Sequence, residues 1–177
     1  MISKLSTSQF ILRAPEPEDL DCLLAFENAA EQWVSNSEAA GPYSRYQMKR
    51  FIESCTNNLF DDRQLRLLAE NSEKRVIGIV DICIYDPFAN RAEVGIIIHP
   101  EYRNKGIGGK VLTLFNKHCF ENLGIHMLYA YIAEENLASR KLFAKCGYKE
   151  SATLFDWGKT YGKYFNVIVA QIINPKG

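Results

Sequence analysis

The stretch Glu93-Val94-Gly95-Ile96-Ile97-Ile98-His99-Pro100-Glu101-Tyr102-Arg103-Asn104-Lys105-Gly106-Ile107-Gly108-Gly109-Lys110 decides how this chain is read. An apolar run of strand length enters a basic, glycine-rich turn, and the turn opens a helix. The first turn of a helix carries backbone N–H groups with no partner inside the helix. Those donors and the positive end of the helix dipole suit a phosphate or pyrophosphate. Gly106 and Gly108 lack a Cβ and let a ligand approach the backbone, while Arg103 and Lys105 either add positive charge or point into solvent. Two common phosphate loops do not fit. G-x-x-x-x-G-K-[ST] fails because Val111 follows Gly109-Lys110 and no glycine stands five positions before Gly109, which removes a P-loop phosphotransferase. G-x-G-x-x-G fails because Val111 takes the final glycine position.

Upstream, Phe10 to Ala14 predicts a strand that Pro15 ends, because proline lacks a backbone donor. Acidic residues at Glu16 to Asp19 suit the start of a helix, with Leu20, Leu23, Leu24 and Glu27 at helical spacing. Gly41-Pro42-Tyr43-Ser44 breaks that pattern, and Ser44 can cap a second helix carrying Tyr46, Met48, Phe51 and Ile52. Residues 64–70 and 76–85 predict a hairpin, with Gly78 at a bulge. A turn over 86–90 leads into the strand Arg91 to Ile98. The helix after the glycine-rich turn runs to about Asn122, and a strand follows over 126–133. A last helix from Asn136 to Cys146 stops at Gly147. The tail predicts strands over 148–157 and 164–173 around a turn at 158–162. The order β, α, α, β, β, β, α, β, α, β, β is an α/β arrangement on a mixed sheet. The strand, helix and strand from Arg91 to Ala133 imply one parallel pair.

The chain has 177 residues, 47% apolar and 24% charged, without repeats or low-complexity segments, which suits a single domain over 1–177. No run approaches the ~20 apolar residues needed to span a bilayer, and the first residues do not resemble a signal peptide. No membrane association is expected. Cys22, Cys55, Cys83, Cys119 and Cys146 are odd in number and form no C-x-x-C, which points to reduced thiols in the cytoplasm. His99, His118 and His126 have no metal-ligand spacing with them, so no metal is expected. Twenty-one basic and 21 acidic residues cancel, which argues against a nucleic-acid partner. The cancellation hides a segregation. Glu16, Glu18, Asp19, Asp21, Glu27, Glu31 and Glu38 fall in 14–44 without a lysine or arginine, whereas ten bases face six acids over 101–163. Two differently solvated faces would explain this, as would two ligands of opposite charge.

Arg103-Asn104-Lys105-Gly106-Ile107-Gly108 matches [RQ]-x-x-G-x-[GA] between a strand and a helix. About 30 residues on, Asn136-Leu137-Ala138-Ser139-Arg140-Lys141-Leu142-Phe143-Ala144-Lys145-Cys146-Gly147-Tyr148 is an Asn-led helix ending in Gly-aromatic. Together these motifs resemble the GNAT family of N-acetyltransferases over nearly the whole chain. The strand Arg91 to Ile98 and the tail Tyr161-Gly162-Lys163-Tyr164-Phe165-Asn166 are similar to the branch of ribosomal-protein N-terminal and spermidine acetyltransferases.

The resemblance implies a mostly antiparallel central sheet with a parallel, splayed pair, flanked by helices, and acetyl-CoA as cosubstrate. The backbone of Ile96, Ile97 and Ile98 would take the pantetheine arm. The amides of Arg103, Asn104, Lys105, Gly106, Ile107 and Gly108 would hold the pyrophosphate. Asn136 would contact the CoA arm, cap its helix, or both, with Ser139 and Phe143 on the same helix. A primary amine would attack the thioester directly, after a carboxylate takes its proton. Glu93 is the preferred base, ahead of Asp81 and Glu27. The family's usual tyrosine acid is replaced by Phe143, so Tyr148, a water, or no acid at all must serve. Cys83 is not expected as a nucleophile. The acceptor could be a polyamine, a protein N-terminus or a small amine, and the acidic stretch favours a cationic one. A non-catalytic acyl-CoA-binding module is the alternative. The tail strand Tyr164 to Ile173 could pair between subunits as a homodimer.

Overall fold

The computed structural model describes residues 5–29, 41–56, 58–160 and 162–176. Seven strands form one sheet: β1 (Phe10–Arg13), β2 (Leu65–Asn71), β3 (Val76–Asp86), β4 (Arg91–Ile98), β5 (Met127–Ala133), β6 (Lys149–Thr160) and β7 (Lys163–Ile173). Their order is β1-β2-β3-β4-β5-β7-β6. All pairings are antiparallel except β4 with β5. The helices are α1 (Leu20–Glu27), α2 (Arg45–Ser54), α3 (Leu59–Asp62), α4 (Ile107–Glu121) and α5 (Leu137–Lys145).

Local chemistry sets most boundaries. Ser44 accepts from the Gln47 backbone N–H, and the Gln47 side chain returns the bond, a capping box that starts α2. Pro17 opens a single 3-10 turn ahead of α1. The bulge between β2 and β3 falls beside Gly78, where the glycine suggested it. α2 carries Tyr46, Met48, Phe51 and Ile52 as expected, with Met48 buried and Tyr46 largely exposed. One expectation needs correction. The final turn is shorter than expected, because 158–160 stay in β6. Gly158 pairs with Phe165, whose ring fills the space a side chain would need; a Cβ there would lie 2.1 Å from it. The expected turn over 86–90 is present, and α3, at four residues, is too short to mark itself in the sequence pattern.

Each face of the sheet buries a different set. On one, Val111, Leu112, Phe115 and Cys119 of α4 and Phe143 of α5 pack on Val80, Ile82, Ala92, Val94, Leu128 and Ala130. On the other, Leu23 and Phe26 of α1 and Met48 of α2 pack on Leu68 and Ile79, with Ile97 beside them. Alternation along β4 therefore turns Ala92 and Val94 toward α4, and Glu93, Gly95 and Ile97 toward the α1 and α2 side.

The charge segregation along the chain is undone in part in space, where three of the seven acids meet bases from outside the acidic stretch. Asp19 pairs with Arg13, Asp21 with Arg45, and Glu27 with Arg66. Glu31 and Glu38 lie outside the described residues. Arg13 bridges Asp19 at 2.7 Å and Glu70 at 2.6 Å. Burial pushes the Asp19 carboxyl up, but Arg13 and the Glu16 N–H outweigh it and hold it below the ordinary range. The Arg13 hydrogen bond does the same for Glu70. Depressed folded values mean that the stabilisation is complete above the ordinary values, 3.8 and 4.5, and is lost as pH falls from these through the lower folded values. Arg13→Leu should therefore lower Tm at pH 7, and the gap to the parent should close toward pH 3 in a thermal melt series.

The tail strand expected to offer a sheet edge does not. β7 lies between β5 and β6, and the free edges are β1 and β6.

Candidate active site

β4 and β5 pair only over Arg91↔Met127, Ala92↔Leu128 and Glu93↔Tyr129. Beyond Glu93 the two strands part. Val94 to Ile98 and Ala130 to Ala133 then line the two sides of a cleft of about 2050 Å³. The crossover through α4 joins the two parallel strands, and α4 and α5 pack on the sheet beside them. Backbone groups on the β5 side of β4 have no strand partner there, and such groups seek a hydrogen-bonding partner. An amide-bearing arm can supply one.

At the mouth of this gap the chain makes its glycine-rich turn. Asn104 and Gly106 both have left-handed backbone, φ 59° and 77°. Gly106 is the N-cap of α4, and no side chain caps the helix there. The first-turn amides are thus left for a ligand, and Arg103, Asn104, Gly106, Gly108 and Gly109 all line the cleft. The donor set fits a pyrophosphate. Arg103 donates from Nε to the Ile98 carbonyl at 2.8 Å, tying the turn to the end of β4. The side chains of Lys105 and Ile107 are directed elsewhere. Lys105 lies over the Tyr102 ring at 5.7 Å, and Ile107 packs against the core.

From α5, Asn136, Ser139 and Phe143 reach the cleft. Asn136 caps α5, its Oδ1 accepting from the Ser139 N–H at 3.0 Å. Asn136→Ala should cost about 1 kcal/mol of stability in urea unfolding, and Asn136→Asp should regain it because a carboxylate caps equally well. Lys141 and Lys145, four apart on α5, also line the cleft beside the uncapped end of α4. Sequence reasoning passed over them, although their spacing on one helix face was the available signal.

Tyr148 does not reach the cleft wall. It is buried in the core, its hydroxyl donates to Asn116 Oδ1 at 2.9 Å, and its ring meets Phe143 edge-on at 4.9 Å. Burial drives its hydroxyl well above the ordinary tyrosine value. The expectation that Tyr148 could stand in as proton donor is therefore corrected: the residue after Gly147 turns inward to fill the core between α4 and α5.

The carboxylates separate by their partners. Arg66 on β2 binds Glu27 at 2.6 Å and Asp81 through two bonds of 2.7 and 2.9 Å, with the Phe51 ring 5.0 Å away. Burial would lower the guanidinium's pKa, but Asp81 and Glu27 more than offset this, so it stays charged. Two of the three candidate bases are thus committed to an ion pair. Glu93 lies at the last paired position before the strands part, on the cleft wall. Cys83 is the extra residue of a bulge between β3 and β4, close to Gly95. Burial pushes its thiol well up, and Asp81 and Glu93 add to this, so it is no thiolate at neutral pH.

No described helix is long and apolar enough to cross a membrane. A family model described as "Acetyltransferase (GNAT) domain" matches residues 9–149. A spermidine N(1)-acetyltransferase of Vibrio cholerae is 27% identical over 172 residues, covering 96% of this chain and 95% of the relative. A spermidine N(1)-acetyltransferase of Escherichia coli K12 is 26% identical, covering 89% and 82%. Among solved structures, spermidine N-acetyltransferase from Vibrio cholerae in complex with CoA and spermine superposes with a TM-score of 0.84 at 27% identity, covering 96% and 98%. A dodecameric structure of the enzyme from that organism gives 0.79 at 26%, covering 96% of each chain. With its splayed parallel pair and uncapped glycine-rich helix start, the chain belongs to the GNAT family and is an acetyl-CoA-dependent N-acetyltransferase.

Proposed function

We propose that the chain moves the acetyl group of acetyl-CoA to a primary amine by direct attack, with Glu93 as the base. The acceptor is a cationic amine, from the class of polyamines, protein N-termini and small amines. The observation that carries this is the position of Glu93. Its carboxylate stands where β4 and β5 stop pairing, so a thioester held in the gap has a proton acceptor next to its carbonyl.

Acetyl-CoA supplies an activated acyl carbon with a thiol leaving group. An amine that enters as ammonium gives one proton to Glu93, directly or through a water, and its freed lone pair attacks that carbon. Negative charge gathers on the acyl oxygen, which backbone N–H groups of β4 can stabilise. The C–S bond then breaks, and the new amide nitrogen loses its extra proton to solvent or to the departing sulfur. Phe143 offers no proton and Tyr148 is buried, so the sulfur leaves as thiolate or is protonated by water. A thiol pKa of about 8.5 makes such a departure reasonable near neutrality.

The relatives named for spermidine acetylation support the amine class. The chain's own geometry supports a carboxylate held ready for it. The five free cysteines fit a cytoplasmic setting. A dodecameric neighbour supports self-association. Phe143 favours the second reading, a module that binds acyl-CoA without turnover. Thiol release from acetyl-CoA with spermidine, an N-terminal peptide and an aminoglycoside separates the two. Transfer to any of them supports the enzyme; CoA binding with no release across the panel supports the module.

A further inference from the structure

On its amine side the cleft sets apolar and aromatic side chains beside Glu93. On the sheet face that Glu93 shares, Ile84 stands directly across the β3–β4 register from it and is 52% exposed. Tyr129 stands across the β4–β5 register on the other side. From Tyr129 the rings continue outward. Tyr131 meets Tyr129 edge-on with centroids 5.5 Å apart, and Trp157 lies 6.3 Å from Tyr131 at a tilt of 32°. Trp157 reaches this row because β6 carries a bulge between Leu154 and Gly158. Tyr131, Trp157 and Ile84 all line the cleft and all remain exposed. Gly95, next on β4, leaves the floor beside Glu93 without a side chain.

Four described carboxylates along the cleft are engaged, while Glu135 lines it as well. Glu27 and Asp81 are held by Arg66. Asp62 accepts from Thr56 with both oxygens, at 2.8 and 2.9 Å, and Glu134 accepts from Asn166 at 2.9 Å. A ligand whose amine meets Glu93 can lay its body on Ile84, Tyr131 and Trp157.

We propose that the acceptor is an arylalkylamine, a primary amine on a short arm from an aromatic ring, with the amine at Glu93 and the ring stacked on Tyr131 and Trp157. Aromatic pairs in offset or edge-on geometry add attraction beyond the area they bury. The row also tolerates the ammonium on its way to Glu93 through cation–π attraction. This inference rests on the transferase reading above.

The test is a competition between equimolar 2-phenylethylamine and spermidine for limiting acetyl-CoA, with products resolved by mass spectrometry. The expected result is a preference for phenylethylamine of about tenfold or more in kcat/KM, the scale on which an apolar pocket discriminates. Trp157→Ala should shrink that preference by about three- to tenfold. Preferred acetylation of spermidine, or of an N-terminal tripeptide offered in the same mixture, overturns the inference and leaves the transferase reading standing. No transfer to any of the three while CoA still binds overturns both. If Trp157→Ala changes the chain's mass in light scattering without altering the amine preference, the row is a surface between copies, and the inference falls.

Discussion

Replacing Glu93 with glutamine should lower kcat by about 10²- to 10³-fold at pH 7, the usual contribution of a positioned general base. Glutamine keeps the size of the side chain and its hydrogen bonds but cannot take a proton. The first-turn amides of α4 and the backbone of β4 are untouched, so acetyl-CoA should bind as tightly as before in calorimetry. The pH dependence has a definite sign. Without the base, the variant depends on amine already neutral in solution, so its rate should rise about tenfold per pH unit until the acceptor's own pKa is reached. Unchanged turnover at neutral pH would remove Glu93 from the mechanism. A loss of CoA affinity equal to the loss of rate would make it a structural residue of the gap.

Arg66→Ala should destabilise the fold by about 3–5 kcal/mol, the scale on which removing one partner leaves buried charge uncompensated. Glu27 and Asp81 have side chains only 11% and 13% exposed, and the guanidinium between them is the partner of both. Its loss also removes the cation lying over Phe51. The comparison that isolates the charge is Arg66→Ala in a background of Glu27→Gln and Asp81→Asn. That triple variant should recover more than half of the lost stability in urea unfolding, because no buried charge then lacks a partner. Arg66→Lys should fall between, since a single ammonium cannot reproduce the fork that meets two carboxylates. If the triple variant is no more stable than Arg66→Ala, the guanidinium acts through packing on Phe51 and not through its charge.

The strands and helices near the glycine-rich turn were legible because their signals are local. The expected strand over 91–98 is β4 residue for residue, and Gly147 closes α5 with left-handed backbone, φ 94°, as a C-terminal glycine should. The β6 boundary was misplaced because Gly158 looks like a turn residue. Only the ring of Phe165 on the neighbouring strand makes it a strand residue. Tyr148 ends a motif, which marks it as a candidate acid in the sequence. Its direction depends on Asn116, 32 positions earlier on α4, which receives its hydroxyl.

The same division runs through the site. The sequence by itself determined the half that faces the anionic donor: a strand, a turn with glycine where φ is positive, and a helix start without a cap. These are contiguous residues, and their geometry follows from backbone sterics and unpaired amides within one stretch. The tertiary structure decided the half that faces the amine. Its walls come from β3, β4, β5 and the bulge of β6, which meet only through sheet register. How the three carboxylates are placed also had to wait for the fold. Glu27, Asp81 and Glu93 are alike in sequence, and the fold separates them: Arg66, brought in on β2, binds the first two, while Glu93 stands where β4 and β5 stop pairing.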